Sequence, residues 1–122
     1  MFIKLNPILF ILLVFNHYIY AKADRWNENI TYNQIIERAK NGSPYYQGLV
    51  GIYLRSGEAG SSVNVDLSRK WSEVAASAGH PFGAYNLANL AMLDGDLVSA
   101  TTLYQDAALR LQRFASDGDP VA

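Results

Sequence analysis

The sequence predicts an all-α fold, a short α-solenoid of about five antiparallel helices. Apolar residues recur at helical spacing in five successive segments, and a glycine closes most of these segments. The same arrangement of helix, tight stop and helix then repeats along the chain, as is typical of stacked helix pairs. No segment shows sustained alternation of apolar and polar residues, so the sequence predicts no sheet.

The stretch from Trp71 to His80 contains the arrangement that the other segments repeat. Its apolar residues at i, i+3, i+4 and i+7 are Trp71, Val74, Ala75 and Ala78, and Leu67 lies one turn earlier. We expect this stripe to be buried, with the ring of Trp71 as its anchor. Gly79 occupies the position of a left-handed helix stop, and Pro81 suits the first turn of the next helix.

Composition limits the classes of function. The chain has 122 residues, enough for one small domain, and half of them are apolar, which argues against disorder. The net charge is −1 and no basic patch stands out, so we expect no nucleic-acid partner. The absence of cysteine excludes disulfides, thiolate metal sites and cysteine nucleophiles.

Residues 1–23 have the pattern of a secretory signal segment. Lys4 supplies positive charge, residues 8–15 are an unbroken apolar run, and residues 21–23 have the small-x-small form of a cleavage site. We therefore expect cleavage after Ala23 and a periplasmic or secreted protein. The alternative is an uncleaved anchor, but Asn16 and His17 interrupt an apolar run that is shorter than the roughly 20 residues of a spanning helix. Residues 24–28 then form a polar lead-in.

The predicted helical domain covers residues 29–118, followed by a flexible tail at 119–122. Its first helix runs from about Asn29 to Lys40, and Gly42 ends it. Ser43 and Pro44 suit the N-cap and first turn of a second helix, which stops near residue 56 or 57. The predicted apolar faces of these two helices are Tyr32, Ile35, Ile36 and Ala39, and Tyr45, Leu49, Ile52 and Tyr53.

A small flexible loop at residues 57–63 precedes the third helix. No strand comes before this loop and no Gly-Lys-Ser/Thr ends it, so its glycines do not predict a phosphate-binding loop. Either Asn64 or Asp66 is suited to cap the third helix. The fourth helix begins at Pro81 and is broken by Gly95. The fifth is capped by Asp96 and runs to about Ser116.

Two units of the repeat resemble the Sel1-like repeats, relatives of tetratricopeptide repeats. The first unit carries the resemblance through Leu49, Tyr53, Gly57, Gly60, Trp71, Ala75, Ala76, Gly79 and His80. The second, with Leu87, Ala88, Ala100, Tyr104 and Ala107, is closer to a plain tetratricopeptide repeat. The chain departs from the family at Val50 and Ser68, where Gly and Ala are preferred, and at Leu109, where the expected Gly is absent.

The resemblance implies a right-handed superhelix that binds a protein or peptide on its concave face. The first helix of each pair would line that face. The residues so implicated are Gln47, Gly51, Leu54, Arg55, Phe82, Tyr85, Asn89 and Met92. The alternative for Leu54, Phe82 and Met92 is packing between the helix pairs.

The sequence predicts a binding protein without cofactor, metal site or catalytic residues. His80 follows the family pattern in a turn between helices and has no acidic residue or histidine at ligand spacing. A second hypothesis is an inhibitor or immunity-type protein that neutralises a toxin or enzyme in the periplasm. A third is a hydrolase that uses His80 and a carboxylate.

The first predicted helix has no preceding partner within the repeat, because it is the second half of a pair. Its apolar residues would then lie partly uncovered, and contiguous exposed apolar surface marks interaction sites. We therefore expect self-association or partner binding through Ile30, Ile35 and Ile36.

Overall fold

The computed structural model describes residues 30–117 and five residues of the N-terminal segment. Those five, Pro7, Phe10, Ile11, Leu13 and Val14, are helical. The chain divides into two compact units, Met1–Ile30 and Thr31–Ala122. The cleavage site after Ala23, the lead-in at 24–28, the tail at 119–122 and the rest of the predicted signal segment lie outside the described residues. No helix among the described residues is long and apolar enough to cross a membrane.

The all-α prediction is confirmed for residues 30–117, which contain five α-helices and no strand. The helices are α1 (Tyr32–Lys40), α2 (Pro44–Ser56), α3 (Val65–Ser77), α4 (Pro81–Leu93) and α5 (Leu97–Asp117), with a 3-10 turn (Glu58–Gly60) between α2 and α3. Each helix contacts the next one in the chain, and α2 also contacts α4.

Side-chain hydrogen bonds cap the starts of α1 and α3, but not that of α2. Thr31 accepts from the Gln34 backbone N–H, and the Gln34 side chain accepts from the Thr31 N–H, so this capping box starts α1 later than the predicted Asn29. Ser43 occupies the N-cap of α2, but its side chain makes no capping hydrogen bond. Of the two candidate caps for α3, Asn64 holds the position and accepts from the Leu67 N–H at 3.0 Å.

The last two helices also begin at side-chain caps. Nδ1 of His80 accepts from the Phe82 N–H at 3.1 Å at the start of α4. Asp96 accepts from the backbone N–H and the hydroxyl of Ser99 at the start of α5, and these bonds lower the pKa of its carboxyl. The predicted stop at Gly79 is confirmed by its left-handed conformation, with φ of 87°.

Helix α4 is the most buried helix of the second unit. Nine of its residues are buried, on every side of the helix, because α2, α3 and α5 all contact it. Phe82 and Leu90 are fully enclosed, as is Tyr104 on α5. The core therefore lies around α4, and the residues of α4 that remain accessible are confined to its last two turns.

The stripe predicted as the buried face of α3 is wrong except at Ala75, which is buried. Leu67 and Val74 are 41% and 49% exposed, and Trp71 is only partly buried. Beside Ala75, the buried residues of α3 are Ser68 and Ser72, which the stripe did not include. The physical reason is close approach: a Cβ added at Gly51 of α2 would meet the Ser68 carbonyl oxygen at 3.2 Å, so only small side chains fit on this side of α3.

The N-terminal apolar residues do not form the expected uncovered set. Ile35 is buried, at 6% exposure, whereas Ile36 is partly exposed. Ile30 belongs to the first unit of the chain. Within the second unit, Ile36 is thus the one of the three isoleucines that retains accessible surface.

Candidate binding surface

The eight residues implicated in binding fall into two groups. Five of them are buried and therefore pack between helices: Gln47, Gly51, Leu54, Phe82 and Tyr85. Arg55 and Asn89 are partly exposed, and Met92 is 39% exposed. A buried side chain offers a partner no contact area, so these five residues are removed from the predicted binding surface. Leu54 and Phe82 take the alternative role of packing between the helices.

Two of the buried residues have specific structural roles. The Gln47 side chain donates to the Ala39 carbonyl oxygen at 3.1 Å and so ties α2 to the end of α1. Gly51 lies where α2 crosses α3, and a Cβ there would collide with the Ser72 hydroxyl. These contacts fix the packing of α2 from both sides.

A polar network connects Arg55 to the interior. Arg55 Nε donates to Asn86 Oδ1 at 2.6 Å. Asn86 is fully buried, and its Nδ2 donates to the hydroxyls of Ser68 and Ser72 at 2.9 and 2.8 Å. Ser68 in turn donates to the Gly51 carbonyl oxygen at 2.6 Å. The amide of Asn86 is therefore satisfied on both sides, and it holds the guanidinium of Arg55 in place.

Asn89 is oriented by α5. The Tyr104 hydroxyl donates to Asn89 Oδ1 at 2.5 Å, so the amide oxygen is engaged and the two N–H groups of Nδ2 remain as donors. Burial, together with the neighbouring Tyr85, raises the pKa of Tyr104 to about 12, against a lowering by Arg55. Tyr104 thus stays protonated at neutral pH and remains a donor to Asn89.

Arg55 has no ionic partner among the described residues. Within residues 30–117 the ion pairs join Lys40 to Glu37, Arg69 to Asp94 and Arg110 to Asp106. The one hydrogen bond of Arg55 uses Nε, so its two terminal nitrogens carry donors that no described acceptor meets. Arg55 and Asn89 therefore present donors and one positive charge.

Exposed apolar side chains continue this surface toward the end of α4. Met92 and Leu93 are one turn beyond Asn89 and are 39% and 68% exposed. We call the surface formed by Arg55, Asn89, Met92 and Leu93 the α2–α4 face. Across the turn, Leu97 and Val98 begin α5 and are 60% and 80% exposed, so apolar area extends around this corner of the molecule.

His80 lies in an aromatic enclosure away from the α2–α4 face. Its ring centroid is 5.0 Å from those of Phe82 and Phe114 and 5.9 Å from that of Tyr45. It is 2% exposed, and burial lowers its pKa to about 4. Nδ1 accepts the cap hydrogen bond, and Nε2 is buried without a partner among the described atoms. His80 is thus a neutral structural cap at physiological pH.

A shallow depression lies beside the end of α3. It is lined by Gly79, Asp106, Arg110, Arg113 and Phe114. Arg110 forms a two-point ion pair with Asp106 and also donates to the Ala76 carbonyl oxygen at 2.6 Å. These bonds engage Arg110 in holding α5 to the C-terminal end of α3.

The sequence pattern did not predict Leu93, which belongs to the surface, or the buried Asn86, which supports it. Asn86 was not singled out, although an asparagine within an apolar helix is a signal of a buried polar network. Leu93 was also missed, because helical spacing alone does not tell which side of a central helix is covered. Within residues 30–117, no group of three or more His, Cys, Asp or Glu side chains is placed to hold a metal ion.

Comparison of the chain with protein-family models, curated proteins and solved structures finds no match in any of the three.

Proposed function

We propose that this chain is an exported interaction module that binds a protein or peptide through the α2–α4 face of a short, right-handed Sel1-like solenoid. The helix contacts support stacked antiparallel pairs, because α2 contacts α4 as well as the intervening α3. The apolar run and small-x-small site of residues 1–23 support export.

The observation that carries the binding proposal is the exposed apolar area at the end of α4. Met92, Leu93, Leu97 and Val98 lie within seven residues, and each is at least 39% exposed. Exposed apolar side chains clustered in this way cost solvation free energy in water, and such clusters are typical of protein interaction sites. The partly exposed polar groups of Arg55 and Asn89 border it and supply directional contacts.

The environment of His80 supports a binding role over hydrolysis. A general base must reach the proton that it abstracts, and its lone pair must be available. In His80 the Nδ1 lone pair is engaged by the Phe82 N–H and the ring is 2% exposed. The alternative that used His80 as the catalytic base therefore has no support from this geometry.

Selection of ligands from a display library of random 12-residue peptides, with the full chain as target, tests the proposal. We expect enriched peptides whose affinity falls about tenfold or more in Leu93→Lys, because a buried charge replaces an apolar contact. Leu109→Lys is the matched control, since Leu109 is similarly exposed, at 57%, but lies in the middle of α5. Absence of enriched peptides, or equal binding by Leu93→Lys and wild type, would contradict the proposal.

A further inference from the structure

We infer that the partner presents a carboxylate to Arg55 and Asn89, next to an apolar side chain that packs on Met92 and Leu93. This inference rests on the proposed function and specifies the chemistry of the ligand. It depends on the balance of hydrogen-bond donors and acceptors in the α2–α4 face.

The acceptors of this face are already used within the protein. Asn86 Oδ1 accepts from Arg55, and Asn89 Oδ1 accepts from the Tyr104 hydroxyl. What remains at the surface is donors: the terminal nitrogens of Arg55 and Nδ2 of Asn89, for which the described residues provide no acceptor. A partner that satisfies them must bring acceptors, and a ligand that brings only donors would leave them unmet.

The donors are held in place before a ligand arrives. The fully buried Asn86 fixes Arg55 Nε at 2.6 Å and is itself fixed by two serine hydroxyls. Tyr104 fixes Asn89 from α5. Asn86 and Asn89 are three residues apart, so they lie on adjacent turns of one side of α4. A ligand therefore meets an ordered donor pair, and little side-chain entropy is lost on binding.

The charge of the site favours a carboxylate over a more highly charged anion. Arg55 contributes one positive charge, and a planar guanidinium matches the two oxygens of a carboxylate. Arg69 adds little, since it is paired with Asp94 at 3.3 Å. Asp96, three residues beyond Leu93 in the chain, repels a dianion more strongly than a single carboxylate. A glutamate, an aspartate or a chain-terminal carboxylate beside an apolar residue fits these constraints.

The test is a double-mutant cycle with a peptide from the display selection. We expect the selected peptides to share an acidic residue, or a free C-terminus, next to an apolar residue. The affinity should fall about tenfold or more for Arg55→Gln, and similarly when the carboxylate of the peptide is replaced by its amide. The two changes together should lower the affinity no further than either one alone, because they remove the same interaction.

A second variant keeps the experiment decisive if Arg55→Gln destabilises the fold. Asn89→Asp retains the acceptor for the Tyr104 hydroxyl but replaces the Nδ2 donor with negative charge. This variant should therefore bind acidic peptides more weakly and bind their amide versions as the wild type does. Arg113→Gln and Asn33→Asp are matched controls at exposed positions. Circular dichroism of each variant checks that the helices persist.

Three outcomes would overturn the inference while leaving the proposed function intact: selected peptides without a shared carboxylate, additive effects in the cycle, or unchanged affinity in both Arg55→Gln and Asn89→Asp. In each case peptides would still bind in a manner sensitive to Leu93→Lys. If no peptide is enriched at all, the proposed function fails and the inference fails with it.

Discussion

Gly83 lies where α4 passes directly against the backbone of α3. A Cβ at this position would be 2.6 Å from the Ser72 carbonyl oxygen and 2.9 Å from the Ala75 carbonyl carbon, and would also collide with the Ala76 nitrogen. These neighbours are backbone atoms, which cannot rotate away as a side chain can. A single hydrogen in place of a methyl group thus determines how closely the two helices approach.

We therefore expect Gly83→Ala to lower the free energy of unfolding by about 1–3 kcal/mol, the usual cost of overpacking. Helix propensity alone would predict a gain of about 1 kcal/mol, since alanine is the better helix former. Urea denaturation measures the sign. Ser77→Ala, at the exposed end of α3, is the control and should change stability by no more than about 0.5 kcal/mol. A stabilised Gly83→Ala protein would show that α3 and α4 are farther apart than the structure indicates.

The element that best shows the effect of this close packing is α3, whose buried side carries serines and whose apolar stripe is largely exposed. Trp71→Ala should therefore cost about 1–2 kcal/mol, below the roughly 3–5 kcal/mol of a fully buried aromatic ring. Ser72→Val should cost at least as much, because it deprives Asn86 of an acceptor and pushes methyl groups toward Gly51.

Urea denaturation of both variants and of Ser72→Ala tests this order. Ser72→Ala removes the acceptor without adding volume, so its destabilisation should be smaller than that of Ser72→Val. If Trp71→Ala proved far more destabilising than Ser72→Val, the sequence-based assignment of the buried stripe would be correct after all.

The sequence predicted the features that depend on local conformation and not those that depend on packing between distant helices. The four predicted helix stops near Gly42, Gly57, Gly79 and Gly95 all fall at glycines with positive φ, because such stops depend on local conformational freedom. The buried side of α3 depends instead on glycines of α2 and α4, and the Arg55–Asn86 bond joins residues 31 positions apart. Periodicity within one helix carries no information about such distant partners, so Arg55 was predicted as a site residue without the asparagine that fixes it.

At the level of the whole compact unit Thr31–Ala122, His80 joins three helices. Its ring contacts Tyr45 on α2, Phe82 on α4 and Phe114 on α5, and Arg110 binds α5 to the end of α3 close by. Protonation of His80 would place a charge inside this aromatic enclosure and remove the acceptor that caps α4. The protonation state of one residue is thus coupled to the stability of the entire helical unit.

This coupling predicts how stability depends on pH. Burial lowers the pKa of His80 to about 4 from the ordinary 6.5, so the unfolded chain binds the proton more readily than the folded one. The stabilisation from neutral His80 is fully present above pH 6.5 and is lost as the pH falls from 6.5 to 4. The free energy of unfolding should fall by up to about 3 kcal/mol over that interval. The urea midpoint of the wild type should accordingly drop between pH 7 and pH 4.5.

His80→Asn provides the comparison, because asparagine is a good N-cap and does not titrate. We expect this variant to be less stable at neutral pH, where it leaves space among the rings, but to lose much less stability between pH 7 and pH 4.5. Hydrogen-bonded carboxylates such as Asp96 also lose stabilisation in acid, and they do so in both proteins, so the difference between the two pH profiles isolates His80. Parallel pH profiles would mean that His80 becomes protonated without opening the aromatic enclosure. Its protonated ring would then have a stabilising partner other than the residues of α2, α4 and α5 that surround it.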